Sequence, residues 1–296
     1  MTSGHQQHQQ HAHGHGHAHG AGGEDGALAE LLDLDAEVLA DYLSEVTGWV
    51  AGHAGPRMSG RILDLGCGTG AGTFALLRRA EGAEVVAVDG SGAMLERLRE
   101  KAHRLGVGER VRTVQADLDE AWPDFGAVDV VWTSAFMHHL ADPDRALGEL
   151  FGLLRPGGLL AVVEMDGFPR FLPEDLGPGL GRPGLEERCH AALADRNAER
   201  MPHLGDDWGV RLSGAGFVVQ EERPFKVELG SPVPDVAKRY AQASLSRLGG
   251  RVAEQLSSED QAVLDAILDT ERPESLLRRE DLCVRASRIA WAARRP

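Results

Sequence analysis

The apolar positions of the chain follow two periods in turn, and their alternation sets the expected architecture. Short apolar runs of strand length fall near 61–65, 84–89, 111–115, 128–133 and 158–164. Between them, 70–80, 92–105 and 143–154 carry apolar residues at helical spacing. Strands alternating with helices predict a parallel sheet with right-handed crossovers and helices on both faces. Upstream, 36–50 places Val38, Leu39, Tyr42, Leu43, Val46, Trp49 and Val50 on one helical face, with Asp35 as its expected N-cap. The pattern breaks at 168–183, where Pro169, Pro173, Pro178 and Pro183 stand among glycines and predict a loop. A polar helix over 184–200 and a short helix after Trp208 follow. Beyond them come a long strand over 217–229, helices over 235–248 and 259–268, and a last strand over 284–293. The capping box expected for the helix at 259 is Ser258 with Gln261.

The richest stretch is 62–72, where an apolar strand ends near Asp64 and a turn carries Gly66, Gly68 and Gly70 before a helix. Glycines suit such a turn because they accept positive φ and let a ligand approach the backbone. A strand, a glycine loop, a helix and an acid about 20 residues on also describe a dinucleotide site, and Asp89 meets that spacing. Two details point elsewhere. The glycines are spaced G-x-G-x-G, and Asp64 precedes the first by two residues. A carboxylate there repels a pyrophosphate and can hold an ammonium group. In open α/β sheets ligands bind beyond the carboxyl ends of the strands, at the point where strand order reverses. Asp64, Asp89, Asp117 and Ser134 all fall at or just past such ends.

These residues resemble the ordered motifs of the class I S-adenosylmethionine-dependent methyltransferases, of the ubiquinone/menaquinone-biosynthesis-like type. Ile62-Leu-Asp64-Leu-Gly66-Cys67-Gly68-Thr-Gly70 is similar to the family's first motif, and 84–89 to its second strand. Ser91-Gly-Ala-Met94-Leu95 resembles the start of the next helix, and Gln115-Ala-Asp117-Leu118 the end of the third strand. Residues 129–134 followed by His138-His139-Leu140 resemble the fourth strand and its exit, and Leu154-Arg-Pro156-Gly157-Gly158 the turn into the fifth. The resemblance is close over 55–168 and loose over 205–230 and 284–295. It implies an α/β, doubly wound, Rossmann-like sheet of seven strands, mostly parallel with the last antiparallel, carrying helical lid insertions. The implied cofactor is S-adenosylmethionine. Asp64 then suits its ammonium, the backbone around Gly66, Cys67, Gly68 and Gly70 its carboxylate, and Asp89 with Gly90 its ribose. Met94, Asp117 and Leu118 suit the adenine, and Ser134 and His139 line the same pocket.

The family reading also divides the chain. Residues 27–55 form an N-terminal lid helix, with Tyr42 and Trp49 as candidates to line the site. Residues 56–296 form the methyltransferase domain, with insertions at 168–208 and 230–282. His139 and Glu164 are the candidates for a general base, although positioning and water exclusion alone can suffice for an in-line displacement. Arg196, Arg200, His203, Trp208 and Arg211 of the lid are candidates for the acceptor side, the arginines for a carboxylate. The expected reaction is direct methyl transfer to a small molecule, a secondary or specialised metabolite. The competing readings are an NAD-dependent oxidoreductase and a non-catalytic methyltransferase-like binding or regulatory protein.

Composition bounds these readings. At 296 residues and 42% hydrophobic content, the chain can bury a full core. A net charge of −15 disfavours a nucleic-acid footprint. No apolar run reaches the roughly 18 residues a membrane span needs, and no secretory signal is apparent. Three cysteines, Cys67, Cys189 and Cys283, argue for a reducing cytoplasm. Only three of the 31 basic residues are lysine, which suggests a high-GC bacterial source. The sequence is compatible with a homodimer. Residues 1–26 hold seven histidines among Gln, Gly and Ala, with almost nothing to bury. They are expected to form a disordered tail that binds divalent metal adventitiously, with no metal in the site itself.

Overall fold

In a computed structural model, residues 21–296 are described. The histidine tract at 5–19 lies outside them, and helix α1 (Ala21–Val38) begins within the stretch expected to lack structure. Instead of one helix over 36–50, α1 runs into α2 (Ala40–Ala54) across a kink at Leu39. Asp35 is therefore not an N-cap. It lies inside α1, and its side chain accepts a hydrogen bond from the Tyr240 hydroxyl.

The central run is β1 (Arg61–Leu65), α3 (Ala71–Leu77), β2 (Glu84–Asp89), α4 (Gly92–Arg104), β3 (Val111–Gln115), β4 (Val128–Ser134), α5 (Pro143–Leu153) and β5 (Leu154–Met165). Then come α6 (Leu185–Arg200), α7 (Trp208–Gly214), β6 (Val218–Leu229), α8 (Asp235–Val252), α9 (Ser258–Leu268) and β7 (Val284–Arg294). The seven strands lie in the order β3-β2-β1-β4-β5-β7-β6. β1 pairs in parallel with β2 on one side and β4 on the other, so strand order reverses beside β1. β7 is antiparallel to both of its neighbours, β5 and β6. The sheet thus has the expected form, mostly parallel with the last strand reversed.

Each face of the sheet has its own layer. Ile62, Ala87, Trp132 and Ala161 pack with α2, α3 and α4. Leu63, Val88, Val131 and Val162 pack on the opposite side with α5 and α7. A third cluster joins α6, α8, α9, the start of β7 and Leu34 of α1. Among the described residues, no helix is long and apolar enough to cross a membrane.

α4 shows how local sequence fixes an element. Ser91 caps it, accepting from the Met94 amide at 3.4 Å. Met94, Leu95, Leu98 and Ala102 form its buried stripe. Lys101, His103 and Arg104 complement the dipole of its last turn. Leu95 and Leu98 are fully buried, each stabilising the fold by about 1.5–3 kcal/mol. The cap of α9 differs from the expected box. Ser257, not Ser258, is the N-cap and accepts from the Asp260 amide, while Gln261 turns back to the Ala253 and Leu256 carbonyls.

α3 lies close on the sheet because Gly72 lacks a side chain. A Cβ there would come within 2.4 Å of Trp132 Nε1, and Trp132 is 1% exposed. Gly72→Ala should therefore destabilise the protein by about 1–3 kcal/mol through overpacking. Urea unfolding checks this, and an unchanged midpoint would show that Trp132 can move aside.

Candidate active site

The site forms where β1 and β2 end, beside the reversal of strand order. Gly66, Gly68 and Gly70 take φ of +66°, +51° and +92°. At Gly66 the requirement is double, because a Cβ would also sit 2.3 Å from the Phe136 ring. The loop is pinned to β2 by two bonds. The Cys67 amide donates to the Val88 carbonyl at 3.0 Å, and the Gly68 amide to Asp89 Oδ2 at 2.9 Å. Asp89 Oδ1 accepts from the Ser91 amide at 2.8 Å, so this one carboxylate also sets the entry to α4. The Gly70 amide donates to the Cys67 carbonyl at 2.9 Å. The two glycine amides expected to face a ligand carboxylate thus have protein partners.

Asp64 is 2% exposed, and its Oδ2 accepts from Thr73 Oγ1 at 2.5 Å. Burial raises its carboxyl from 3.8 to about 7; the Thr73 hydrogen bond opposes this and the nearby Asp89 charge adds to it. Asp64 therefore braces the loop and the first turns of α3 from below. Burial, with Asp64 and Asp89, also pushes the Cys67 thiol well up, which keeps it unreactive. Met94 and Leu118 are buried, whereas Gly90 and Asp117 are exposed. Asp117 Oδ1 accepts from the Asp119 amide at 3.0 Å, one strand further out and bonded to none of the other candidates.

The exit of β4 closes the other side. Ser134 ends the strand, half-buried, opposite Val163. Ala135 then takes φ +51°, a left-handed conformation costing about 1–2 kcal/mol in a residue with a Cβ. That turn sends Phe136 across the glycine loop. His138 Nδ1 meets Glu164 Oε2 at 2.6 Å, with both side chains buried. Glu164 Oε1 and His138 Nε2 have no partner among the described residues. The buried acid–imidazole pair is thus His138–Glu164 rather than one built on His139. The His139 ring lies 4.1 Å from that of His138 and is exposed on its outer side. Partial desolvation lowers its pKa; His138 lowers it further, Glu164 opposes, and Arg251 of α8 also lowers it.

α1 covers the loop. Leu32 Cδ1 lies 3.1 Å from where a Gly68 Cβ would stand. Asp33 is held by Arg97 at 2.6 Å and by Lys101, and Lys101 Nζ donates to the Thr69 carbonyl at 3.0 Å. Of the two aromatics on α2, half-buried Trp49 packs edge-on against Phe225 and His53. Tyr42 is the one near Glu164: burial pushes its hydroxyl up, Arg288 opposes, and the Asp35 and Glu164 charges add to the rise. The lid candidates separate as well. Arg211 is taken by Asp206 and Asp144 at 2.6 and 2.7 Å, His203 also meets Asp206, and Trp208 is core. Arg200 is exposed. Arg196 reaches the Arg251 carbonyl at 2.6 Å.

A methyltransferase-domain model matches residues 62–158, the segment that builds this loop and these strand ends. A demethylmenaquinone methyltransferase of Thermus thermophilus is 44% identical over 185 residues, covering 62% of this chain and 73% of that protein. The chain belongs to the class I S-adenosylmethionine-dependent methyltransferases. Solved members of this fold agree. A Bacillus halodurans protein superposes with a TM-score of 0.53 at 19% identity, covering 84% of this chain and 98% of that one. A geranyl diphosphate methyltransferase with bound S-adenosylmethionine gives 0.50 at 19% identity, covering 94% and 92%. The chain spans less than half the length of most of the other curated relatives it matches. S-adenosylmethionine is the cofactor of the family, and the donor set suits it. Asp89 is half-buried at a strand end, and each of its oxygens keeps acceptor capacity for a vicinal diol.

The raised Asp64 carboxyl has a pH signature. Between about pH 4 and pH 7 the folded chain keeps a proton that the unfolded chain has released. This contribution to stability is fullest at low pH and is lost as pH rises through 7. Relative to Asp64→Asn, which cannot titrate, the wild type should lose on the order of 1–3 kcal/mol between pH 5 and pH 8. Urea titrations of both proteins across that range measure it. A constant difference would mean that Asp64 is ionised throughout.

Proposed function

We propose that this methyltransferase moves a methyl group in line onto a small-molecule acceptor, a specialised metabolite, bound between the strand ends and the helical insertions. The observation that carries this reading is the convergence, beside the reversal of strand order, of a positive-φ glycine loop with the carboxylate of Asp89. S-adenosylmethionine supplies an electrophilic methyl on a cationic sulfur. Asp89 accepts from the two ribose hydroxyls while its loop bonds persist. Met94 and the Leu118 backbone flank the adenine, with Asp117 at its exposed edge. Asp64 acts from beneath, by fixing the loop through Thr73. Ser134 and His139 border the transfer region.

Glu164 has one oxygen fixed by His138 and one without a partner, so it is the group best placed to take an acceptor proton. His139, held neutral, presents a hydrogen-bonding face to the chamber. α1 and α2 (within 27–55) and the insertions 168–208 and 230–282 act as the cover that excludes water. α1 seals the glycine loop, so cofactor exchange requires it to lift.

Two measurements test these roles. Asp89→Ala removes the diol acceptors and the bonds from the Gly68 and Ser91 amides, so affinity for S-adenosylhomocysteine should fall by about 1.5–3 kcal/mol in calorimetry. Wild type should bind it with no comparable binding of NAD. Unchanged affinity in the variant would mean that Asp89 serves the loop alone. For the cover, Asp33→Asn weakens the α1 clamp. Association and dissociation of S-adenosylhomocysteine in stopped flow should then both quicken by about two- to fivefold, the scale of a partly exposed ion pair. Unaltered rates would place α1 outside the exchange route.

A further inference from the structure

Three arginines of the helical insertions depart from the ion pairing around them. The chain has 46 acidic against 31 basic residues, and several neighbouring bases are matched. Arg188 meets Asp260, Arg211 meets Asp206 and Lys238 meets Glu280, each at 2.6 Å. Among the described side chains, Arg196, Arg247 and Arg251 pair with no carboxylate. Yet they are gathered together. Arg247 and Arg251 stand four apart on α8 and so share a face. α6 packs along α8, and Arg196 Nη1 donates to the Arg251 carbonyl at 2.6 Å. All three are half-buried. Loss of water, then the charges of Arg247 and Arg196, lower the pKa of the Arg251 guanidinium. Holding like charges together at partial burial costs free energy unless a counter-charge arrives.

The cluster also bears on the site. The Arg251 charge is felt at the exposed His139 on the β4 exit. Guanidinium forks match carboxylates and phosphates in bidentate fashion.

We propose that Arg196, Arg247 and Arg251 bind an anionic group of the methyl acceptor, a carboxylate or a phosphate, and so hold its nucleophile toward the β4 exit. This deepens the methyltransferase reading and rests on it: the acceptor is an anion.

The test uses the full chain saturated with S-adenosylhomocysteine. It is titrated calorimetrically with malonate and, separately, with inorganic phosphate, at constant ionic strength in chloride. At least one should bind, and the double substitution Arg247→Gln with Arg251→Gln should weaken that binding at least tenfold. Arg251→Lys, which keeps the charge but not the fork, should fall between. Affinity for S-adenosylhomocysteine should stay within twofold in every variant. Binding of malonate alone assigns a carboxylate, and of phosphate alone a phosphorylated acceptor. If the double variant does not fold, Arg247→Gln by itself should cost at least threefold. Neither anion binding to wild type, or binding that survives the substitutions, overturns the proposal. Failure of the wild type to bind S-adenosylhomocysteine would instead strike at the methyltransferase reading, and the anion titration, repeated without it, would still decide the cluster.

Discussion

The carboxylate of Asp89 takes a hydrogen bond from the Gly68 amide and another from the Ser91 amide, and the rest of the site is arranged around those two bonds. They draw the turn after β1 against the turn after β2. α3 and α4 therefore start side by side, with Asp64 and Thr73 locked beneath the first and Met94 capped onto the second. α1 can then span both, resting Leu32 on the glycine loop and Asp33 on Arg97 and Lys101 of α4. The strand ends supply the scaffold, and this one acid sets the distance between them.

Most of the sheet could be read in the sequence, because β1, β2, β4 and β5 are covered on both faces and must be apolar almost throughout. The glycine loop was legible for the same kind of reason: few residues accept its backbone. The N-terminal helices were less so. α1 has no strong apolar stripe, and its place comes from contacts with α4 and α8 that lie far away in sequence. Ser257 and Ser258 are equal in sequence, and only the extended backbone at Ser257 makes it the cap. Adjacent His138 and His139 were equally ambiguous; the turn at Ala135 sends one inward to Glu164 and leaves the other outside. Trp49 lies on the same stripe as Tyr42, about two turns away, and both pack edge-on against Phe225, so the stripe alone did not separate them. Arg247 and Arg251 showed a four-residue spacing, but nothing in the sequence marked them as lacking a carboxylate partner.

On the proposed reading, the cleft has opposite electrical characters on its two walls. The strand-end wall carries Asp64, Asp89 and Glu164, the first with its carboxyl raised to about 7 by burial and the others tied by hydrogen bonds. The insertion wall carries guanidinium groups. A cationic methyl donor beside the first and an anionic acceptor beside the second would lie along the field rather than across it. That arrangement would favour the approach of the two reactants even though the whole chain is acidic.

The reversed strand β7 joins β5 to β6, and β6 has no other neighbour in the sheet. β7 is also the last of the seven strands in chain order. The strands through β5 can therefore assemble while the chain is still growing, but β6 and the helices stacked on it must wait. Until β7 arrives, β5 presents an open edge of unpaired N–H and C=O groups, the sort of surface on which unfinished sheets associate. The same strand carries Val284 and Ala286 into the helical cluster. The cover proposed for the acceptor chamber thus depends on β7, so a chain in which that strand has not yet paired can own a finished cofactor loop while lacking a closed chamber.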